Sequence, residues 1–453
     1  MSSALLQDYL LCDEFKQASA LFDSGSARLG GFWGGSFSFF LGGWHGARRE
    51  GAGRCVLVTS CQEDADQLLE ELEAFVPGRA AAFPAWDSLF LASSNPDPLV
   101  YGERLRTLEQ LLEPEAGPAF IVTPVHALVQ PVPQPGLLQD ARVELVQGRE
   151  LSPAELAATL TAKGYRNVPL AEEAGEYSSR GDIFDVFPFS HESPLRLEYF
   201  GDQVESIRRY DPATQRSLPE SVEERVEFAL TTGDQVFRDC YRGEEALLLD
   251  YLQESDRMVL WEADAVFDRV RKVFNNLLGT AGDAARDQFL LRLRGRAGVH
   301  ASCMPVASDS VPARTLGFGS VEQMRSTDIA RAFDSLRSRI SSQLEVTVYC
   351  ESEGEAKRFG ELLRDHQLAA EKGITIEVGG LRRGFEITAL SRAVLTTREL
   401  FNRQVVRRAR RTKAASGKAI RSFLELRKGD YVVHLVHGIG RCMGIEALEK
   451  DGV

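Results

Sequence analysis

The stretch CVLVTSCQEDADQLLEELEAF, residues 55–75, decides the fold class. CVLVTS (55–60) has the pattern of a buried strand, and QEDADQLLEELEAF (62–75) changes to a helical one. Upstream lies the glycine-dense run GGFWGGSFS (30–38), and before it residues 4–22, where Leu5, Leu6, Tyr9 and Leu10 fall at helical spacing and predict an opening amphipathic helix. Downstream, AAAFP (80–84) reads as a further strand, a helix follows around 101–113, and AFIVTP (119–124) is another strand. Strand alternating with helix predicts an α/β chain built on a mostly parallel sheet covered on both faces.

The chain has 453 residues, enough for several domains that each bury a core. Its hydrophobic content of 43% and charged content of 26% are ordinary for soluble globular protein. A net charge of −13 excludes a chain that coats nucleic acid with its whole surface, and leaves room for a local basic patch. The cysteines at 12, 55, 61, 240, 303, 350 and 442 form no C-x-x-C pair and read as reduced cytosolic thiols, mostly core fillers. Leu29 to Ala47 is uncharged, yet seven glycines, serines and a histidine make it too polar and too poor a helix to span a membrane. The amino terminus, MSSALLQDYLLCDEF, has early acids and no basic region before an apolar one, so it is not read as a signal peptide. A cytoplasmic location with no membrane partner is expected.

Around Pro133–Pro135 the texture becomes strand-rich α+β and stays so to about 220. Residues 221–322 mix helical segments such as EEALLLDYLQ (244–253) with loops and end in a Ser/Pro/Gly-containing region, 307–320. A second α/β unit follows: a helix at 329–343, strand EVTVYCE (345–351), helix GEAKRFGELLRDH (354–366) and strands ITIEVG (374–379) and AVLTT (393–397). From Arg403 to Lys428 ten basic residues face one acid. That tract is either a solvated linker or a segment lying weakly against DNA phosphate. The last segment, DYVVHLVHGIGRCMGIEAL, reads as two strands around a His-Gly-Ile-Gly turn.

The glycine run is spaced like a phosphate-binding loop, which requires G-x-x-x-x-G-K-[ST]. Counting from Gly30 puts Gly35 at the second glycine, Ser36 at the lysine and Phe37 at the hydroxyl. Counting from Gly31 restores a hydroxyl at Ser38 but puts Ser36 at the second glycine and Phe37 at the lysine. Neither register keeps the cation that would pair with the β/γ phosphates. The run Gly30, Gly31, Gly34, Gly35, Ser36, Phe37 is therefore expected to keep the shape of such a loop without its chemistry. His434 and His437, near Cys442, are not read as metal ligands, because a strand ending in a tight turn points them to opposite faces. No Ser-His-Asp order, paired-carboxylate motif or metal triad stands out, and no catalytic residue is assigned.

In GEYSSRGDIFDVFPFSHESPLRLEYFGDQVESIRRYD (175–211), Leu195, Leu197 and Tyr199 alternate with Arg196, Glu198 and Phe200. Gly201-Asp202 forms the turn and Gln203 to Tyr210 returns, a β-hairpin. Arg180 and Gly181 are expected to open the preceding strand, with Ile183, Val186 and Phe187 as its core. Arg196 and Glu198 then share the face opposite the apolar set. They are either a solvated pair contributing under about 1 kcal/mol or part of a recognition surface, since arginine with aromatics is what interface hot spots favour.

YRN (165–167), GEYSSRGDIFDVFP and RLEYFGDQVESIRRYD closely resemble the UvrA-binding domain shared by UvrB and the Mfd family of transcription-repair coupling factors. FPAWDSLFLASSNPDPLVYGERLRTLEQLL (83–112), ESEGEAKRFGELL (351–363) and VLTTRELF (394–401) look like further segments of that family. KGDYVVHLVHGIGRCMGIEALE (428–449) is similar to the start of its RNA-polymerase-interacting domain, a small Tudor-like barrel shared with CarD regulators. The segments run from about 30 to 453 in the family's order.

The resemblance implies a multidomain α/β protein. Residues 1–130 and 221–322 would be two parts of a UvrB-like α/β module with a degenerate phosphate loop, and 131–220 an inserted UvrA-binding α+β domain. A small α/β domain at 323–402, a basic linker at 403–427 and an incomplete Tudor-like barrel at 428–453 would follow. It further implies that Arg166, Arg180, Arg196 and Glu198 grip UvrA, with Ser178 standing where UvrB has another arginine. Leu448 would belong to a contact with the RNA polymerase β subunit, on a barrel of which this sequence carries roughly two strands. No cofactor is expected in this chain, ATP and Mg²⁺ being confined to the family's motor beyond residue 453. The implied work is that of a non-catalytic adaptor bringing UvrA to a stalled polymerase in nucleotide excision repair. The alternatives are part of an ATP-dependent DNA translocase, or a stand-alone UvrB-like regulator of UvrA.

Overall fold

The computed structural model describes residues 4–48, 53–86, 98–113, 117–229, 246–278, 282–308, 310–321, 329–341, 344–368, 373–401, 431–434 and 438–441. The opening segment is two helices rather than the single one expected. Ala4–Leu11 (α1) and Asp13–Asp23 (α2) are separated by Cys12, whose extended backbone (φ −68°, ψ 141°) breaks the helical path. The chain then runs through β1 (Ala27–Gly30), α3 (Ser36–Ala47), β2 (Cys55–Thr59), α4 (Gln62–Phe75), β3 (Ala80–Ala82), α5 (Pro98–Leu111) and β4 (Phe120–Pro124). β2 and β4 are buried along their whole length, so their sequences are continuous apolar runs rather than alternating ones.

After α6 (Pro135–Asp140), residues 142–229 leave this sheet. Arg142–Val146 (β5) and Arg225–Ala229 (β12) pair antiparallel and bracket the excursion, whose closing strand lies beyond the boundary near 220 suggested by the sequence. Between them come α7 (Pro153–Ala162) and β6 (Arg166–Asn167), β7 (Glu176–Arg180), β8 (Ile183–Phe187), β9 (Leu195–Phe200), β10 (Gln203–Tyr210) and β11 (Ser217–Val222). These form a six-stranded sheet in the order β11-β10-β9-β8-β7-β6. One face carries Tyr177, Phe184, Val186, Leu195, Leu197 and Ile207, packed with Leu156 and Leu160 of α7.

The chain then returns to the first sheet. The described part of EEALLLDYLQ, residues 246–253, is not the helix its composition suggested: Leu248–Asp250 is a single 3-10 turn, with the Asp250 carboxylate accepting the Leu247 N–H at 2.7 Å. Arg257–Trp261 (β13), α8 (Ala263–Leu278), α9 (Asp283–Arg296), β14 (Val299–Ala301) and β15 (Ala313–Thr315) complete a seven-stranded parallel sheet, order β15-β1-β14-β13-β2-β4-β3. Helices cover both its faces. Cys55 and Leu57 of β2 point into an aromatic-rich core with Phe22, Phe39, Phe40 and Trp44, while Val56 and Val58 point into a second core with Leu105, Leu108, Val266 and Phe289. Two-sided burial is what a parallel sheet with crossover helices demands.

A smaller five-stranded mixed sheet follows: β16 (Phe318–Gly319), β17 (Glu345–Cys350), β18 (Ile374–Val378), β19 (Phe385–Ile387) and β20 (Arg392–Thr396), in the order β16-β19-β20-β17-β18. Its helices are α10 (Ile329–Ser341) and α11 (Glu353–Asp365), the latter capped by Ser352, whose hydroxyl accepts the Glu355 N–H. Val405–Val453 is a second unit, in which β21 (Tyr431–His434) and β22 (Gly438–Arg441) pair antiparallel. The uncharged stretch that raised the question of a membrane span contains the 12-residue α3, buried in the core. Among the described residues no helix is long and apolar enough to cross a membrane.

Candidate functional site

The glycine run has the strand–loop–helix shape of a phosphate loop. β1 ends at Gly30, Gly35 is the N-cap, and α3 begins at Ser36, as the register starting at Gly30 requires. Gly31 and Gly34 have φ of 84° and 56°, a region open to glycine but costly for other residues. The space above the loop is filled by the protein itself. The Gly35 N–H, one of the helix-terminal donors that phosphate loops aim at an anion, donates to the Arg383 carbonyl at 2.9 Å. A Cβ added at Gly34 would stand 2.0 Å from the Gly384 oxygen, and one at Gly35 2.2 Å from Leu381 Cδ1. The 381–384 segment is itself pinned: Arg382 pairs with Glu70 at 2.5 Å, and the Gly384 N–H donates to Glu399 at 2.6 Å.

The side chains agree with that filling. Phe37 is buried and stacks on Trp261, ring centroids 4.8 Å apart. Ser36 is buried, and its hydroxyl has no hydrogen-bond partner among the described residues. Behind α3, the Ser38 hydroxyl donates to Glu71 at 3.2 Å, and burial pushes the Glu71 carboxyl up to about 7. A carboxyl raised by burial and an aromatic ring therefore sit by the loop, and neither is the cation a phosphate site would have.

The second candidate is the open face of the six-stranded sheet. The residues facing each other across its strands form rows. Ser178, Asp185, Arg196, Arg208 and Val222 lie in one, and Arg180, Ile183, Glu198 and Ser206 in the next. Asp185 is the hub that the sequence reading missed. Its carboxylate is fully buried, and it accepts from Arg196 Nε at 2.7 Å and Nη2 at 2.9 Å and from Arg180 Nη2 at 2.9 Å. Arg196 also donates to the Gln215 carbonyl at 3.1 Å and lies over the Tyr210 ring at 4.5 Å. The hydrogen bonds to Asp185 raise its pKa further against the opposing effect of burial. Alternation with Phe184 and Val186 places Asp185 on the face opposite the core, and only strand register, which sets it between Ser178 and Arg196, shows that it is buried and paired.

Two expectations need correcting here. Arg196 stands on the predicted face, but its guanidinium is not offered outward: the side chain is 13% exposed and folded onto Asp185, because a buried carboxylate left unpaired is costly. Ile183 is not core. Gly181 sits in the turn with φ 60°, so Arg180 closes β7, Ile183 opens β8 on the solvent side, and Phe184 takes the buried place. Arg180 and Arg166 remain accessible, with side chains 44% and 65% exposed. Arg166 pairs with Glu176 at 3.0 Å and Glu173 at 3.3 Å on the sheet's far edge. Glu198 accepts the Ser206 hydroxyl at 2.7 Å. Ser178 is buried and donates to the Pro169 carbonyl at 2.9 Å. Leu448, His437, Cys442 and the tract Arg403–Lys428 lie outside the described residues, and for His434 only the strand is described. Among the described residues no group of His, Cys, Asp and Glu could hold a metal ion.

The unit bracketed by β5 and β12 is the class-defining part of the chain: residues 143–228 match the UvrB interaction domain. Residues 426–453 match the CarD-like/TRCF RID domain. The chain is similar over most of its length to transcription-repair-coupling factors. It is 27% identical over 469 residues to that of Escherichia coli (strain K12), covering 89% of this chain and 41% of the relative. To that of Staphylococcus aureus (strain bovine RF122 / ET3-1) it is 24% identical over 481 residues, covering 87% and 40%. The chain thus spans about two fifths of the length of these relatives. The resemblance read from the sequence, to the amino-terminal region of transcription-repair coupling factors, is borne out by these matches.

Proposed function

We propose that this chain does adaptor work in transcription-coupled nucleotide excision repair, holding UvrA through the open face of the six-stranded sheet. One observation carries the reading. The segment matching the UvrB interaction domain is the unit whose one sheet face gathers Arg166, Arg180, Arg196 and Glu198 and leaves Arg166 and Arg180 open to solvent. Arg180 and Arg166 contact UvrA directly, whereas Arg196 fixes the Asp185 hub and holds Arg180 in place. The carboxy-terminal match supports a second contact, with RNA polymerase, to which Leu448 contributes. The glycine loop is scaffold and holds no nucleotide, a reading supported by the 381–384 segment seated over it and by Ser36 in the place of the lysine. Any ATP-driven movement on DNA belongs to other parts of such proteins.

The test is titration of the chain against purified UvrA. Arg180→Ala should weaken binding about tenfold or more while leaving the thermal melt nearly unchanged. Equal affinity for the two proteins would overturn the reading. Arg196 is a poorer probe, since its loss strands a buried carboxylate.

A further inference from the structure

Among the described residues of the inserted sheet, Phe200 is the most exposed large apolar one, at 79%. It ends β9, on the face of Arg196 and Glu198, just before the Gly201 turn (φ 64°). Its ring has no aromatic or cationic partner among the described residues. Ile183, 37% exposed, pairs in register with Glu198 on one side and Arg180 on the other, which makes it the diagonal neighbour of Phe200. Such neighbours lie about 7–8 Å apart, within reach of an aromatic side chain. Arg180, Ile183 and Phe200 therefore run across three adjacent strands as a cation, an aliphatic group and an aromatic ring. Leu11 and Leu291, at 72% and 74% exposure, lie on helices and not on this sheet.

An arginine on the same face as an exposed aromatic, with an aliphatic side chain between them, is the composition of an interface centre. The arrangement asks for a partner surface with an apolar socket rimmed by carboxylate. We infer that Phe200, with Ile183 beside it, is the apolar anchor of the UvrA contact. This inference rests on the adaptor reading above. Arg180 orients the approach, and insertion of Phe200 sets how long the complex lasts, since truncating buried anchors acts mostly on dissociation. The hub explains the division of labour: Asp185 holds Arg196 inward, so the charge left at the surface lies in the same part of the sheet as the apolar row.

The experiment measures association and dissociation of the whole chain with purified UvrA for Phe200→Ser, Phe200→Leu and Arg180→Ala. Phe200→Ser should weaken binding about tenfold or more through faster dissociation, with an unchanged melt, and Phe200→Leu should recover part of the loss. If Arg180→Ala weakens binding and Phe200→Ser does not, the anchor is refuted and the adaptor reading stands. If neither matters, the adaptor reading fails and takes the anchor with it. Should Phe200→Ser lower the melt, Phe200→Leu decides: full affinity with normal dissociation goes against a specific aromatic anchor, and an intermediate rate supports it.

Discussion

Asp185 organises its surroundings more than any of the arginines read from the sequence. A fully buried carboxylate holding two guanidiniums gives a sharp asymmetry between its partners. Removing one side of a buried pair costs about 3–5 kcal/mol, because the other charge stays buried and uncompensated. A half-exposed partner contributes about 0–1 kcal/mol. Asp185→Asn and Arg196→Ala are therefore expected to lose about 3 kcal/mol in a denaturant titration, and Arg180→Ala less than about 1. Equal losses for Arg180 and Arg196 would contradict the hub. The alternation in LRLEYF placed Arg196 and Glu198 on the right face, since period two needs only the sequence. What it could not supply was the fate of the guanidinium, which depends on an acid eleven residues upstream that only strand register brings alongside.

At the scale of elements, the loop between β1 and α3 keeps a phosphate loop's path and gives its amide to a carbonyl from a distant segment. Gly34→Ala would combine a strained φ with a Cβ 2.0 Å from the Gly384 oxygen, so the 381–384 segment must shift. A loss of stability above about 1 kcal/mol is expected, seen as a lower melt. Restoring the cation with Ser36→Lys should not create nucleotide binding, because the helix terminus remains covered. Calorimetry with Mg-ATP should show no heat of binding, and micromolar affinity in that variant would contradict the covered-loop account. The missing lysine was visible in the sequence, but the covering segment was not, since some 350 residues separate it from the loop. Local reading failed where context overrides propensity. EEALLLDYLQ has a helix former's composition yet supplies a 3-10 turn, and the opening run breaks at Cys12 because residues on both sides turn into one core.

At the scale of the molecule, the parallel sheet is assembled from residues 27–124 and 257–315 around an excursion with its own sheet and core. The strands were legible because two-sided burial writes unbroken apolar runs. The closing strand of the excursion was not, because RVEFA alternates and belongs with Arg142–Val146 only by pairing. The buried acids give the folded molecule a distinctive pH response. Glu71, raised by burial to about 7, stays protonated in the folded state between its ordinary value and about 7, where the unfolded chain has lost the proton. Its contribution is fully present below the unfolded value and is lost as pH rises through the folded one. Glu71→Gln keeps a neutral hydrogen-bonding group, so the melt of the variant relative to the parent should rise between pH 5 and pH 8. A difference independent of pH would contradict a raised carboxyl. His126 and His191, lowered by burial to about 4, act with the opposite sign below their ordinary range, which is why the comparison must be made with the variant.

The contact with UvrA is tested most directly by titrating this chain into purified UvrA and repeating the titration with Arg166→Ala and Arg180→Ala combined. The account predicts saturable binding by the parent and a loss of at least about tenfold in the double variant, with both proteins melting alike. Absence of binding by the parent, or undiminished affinity once both arginines are gone, would contradict it.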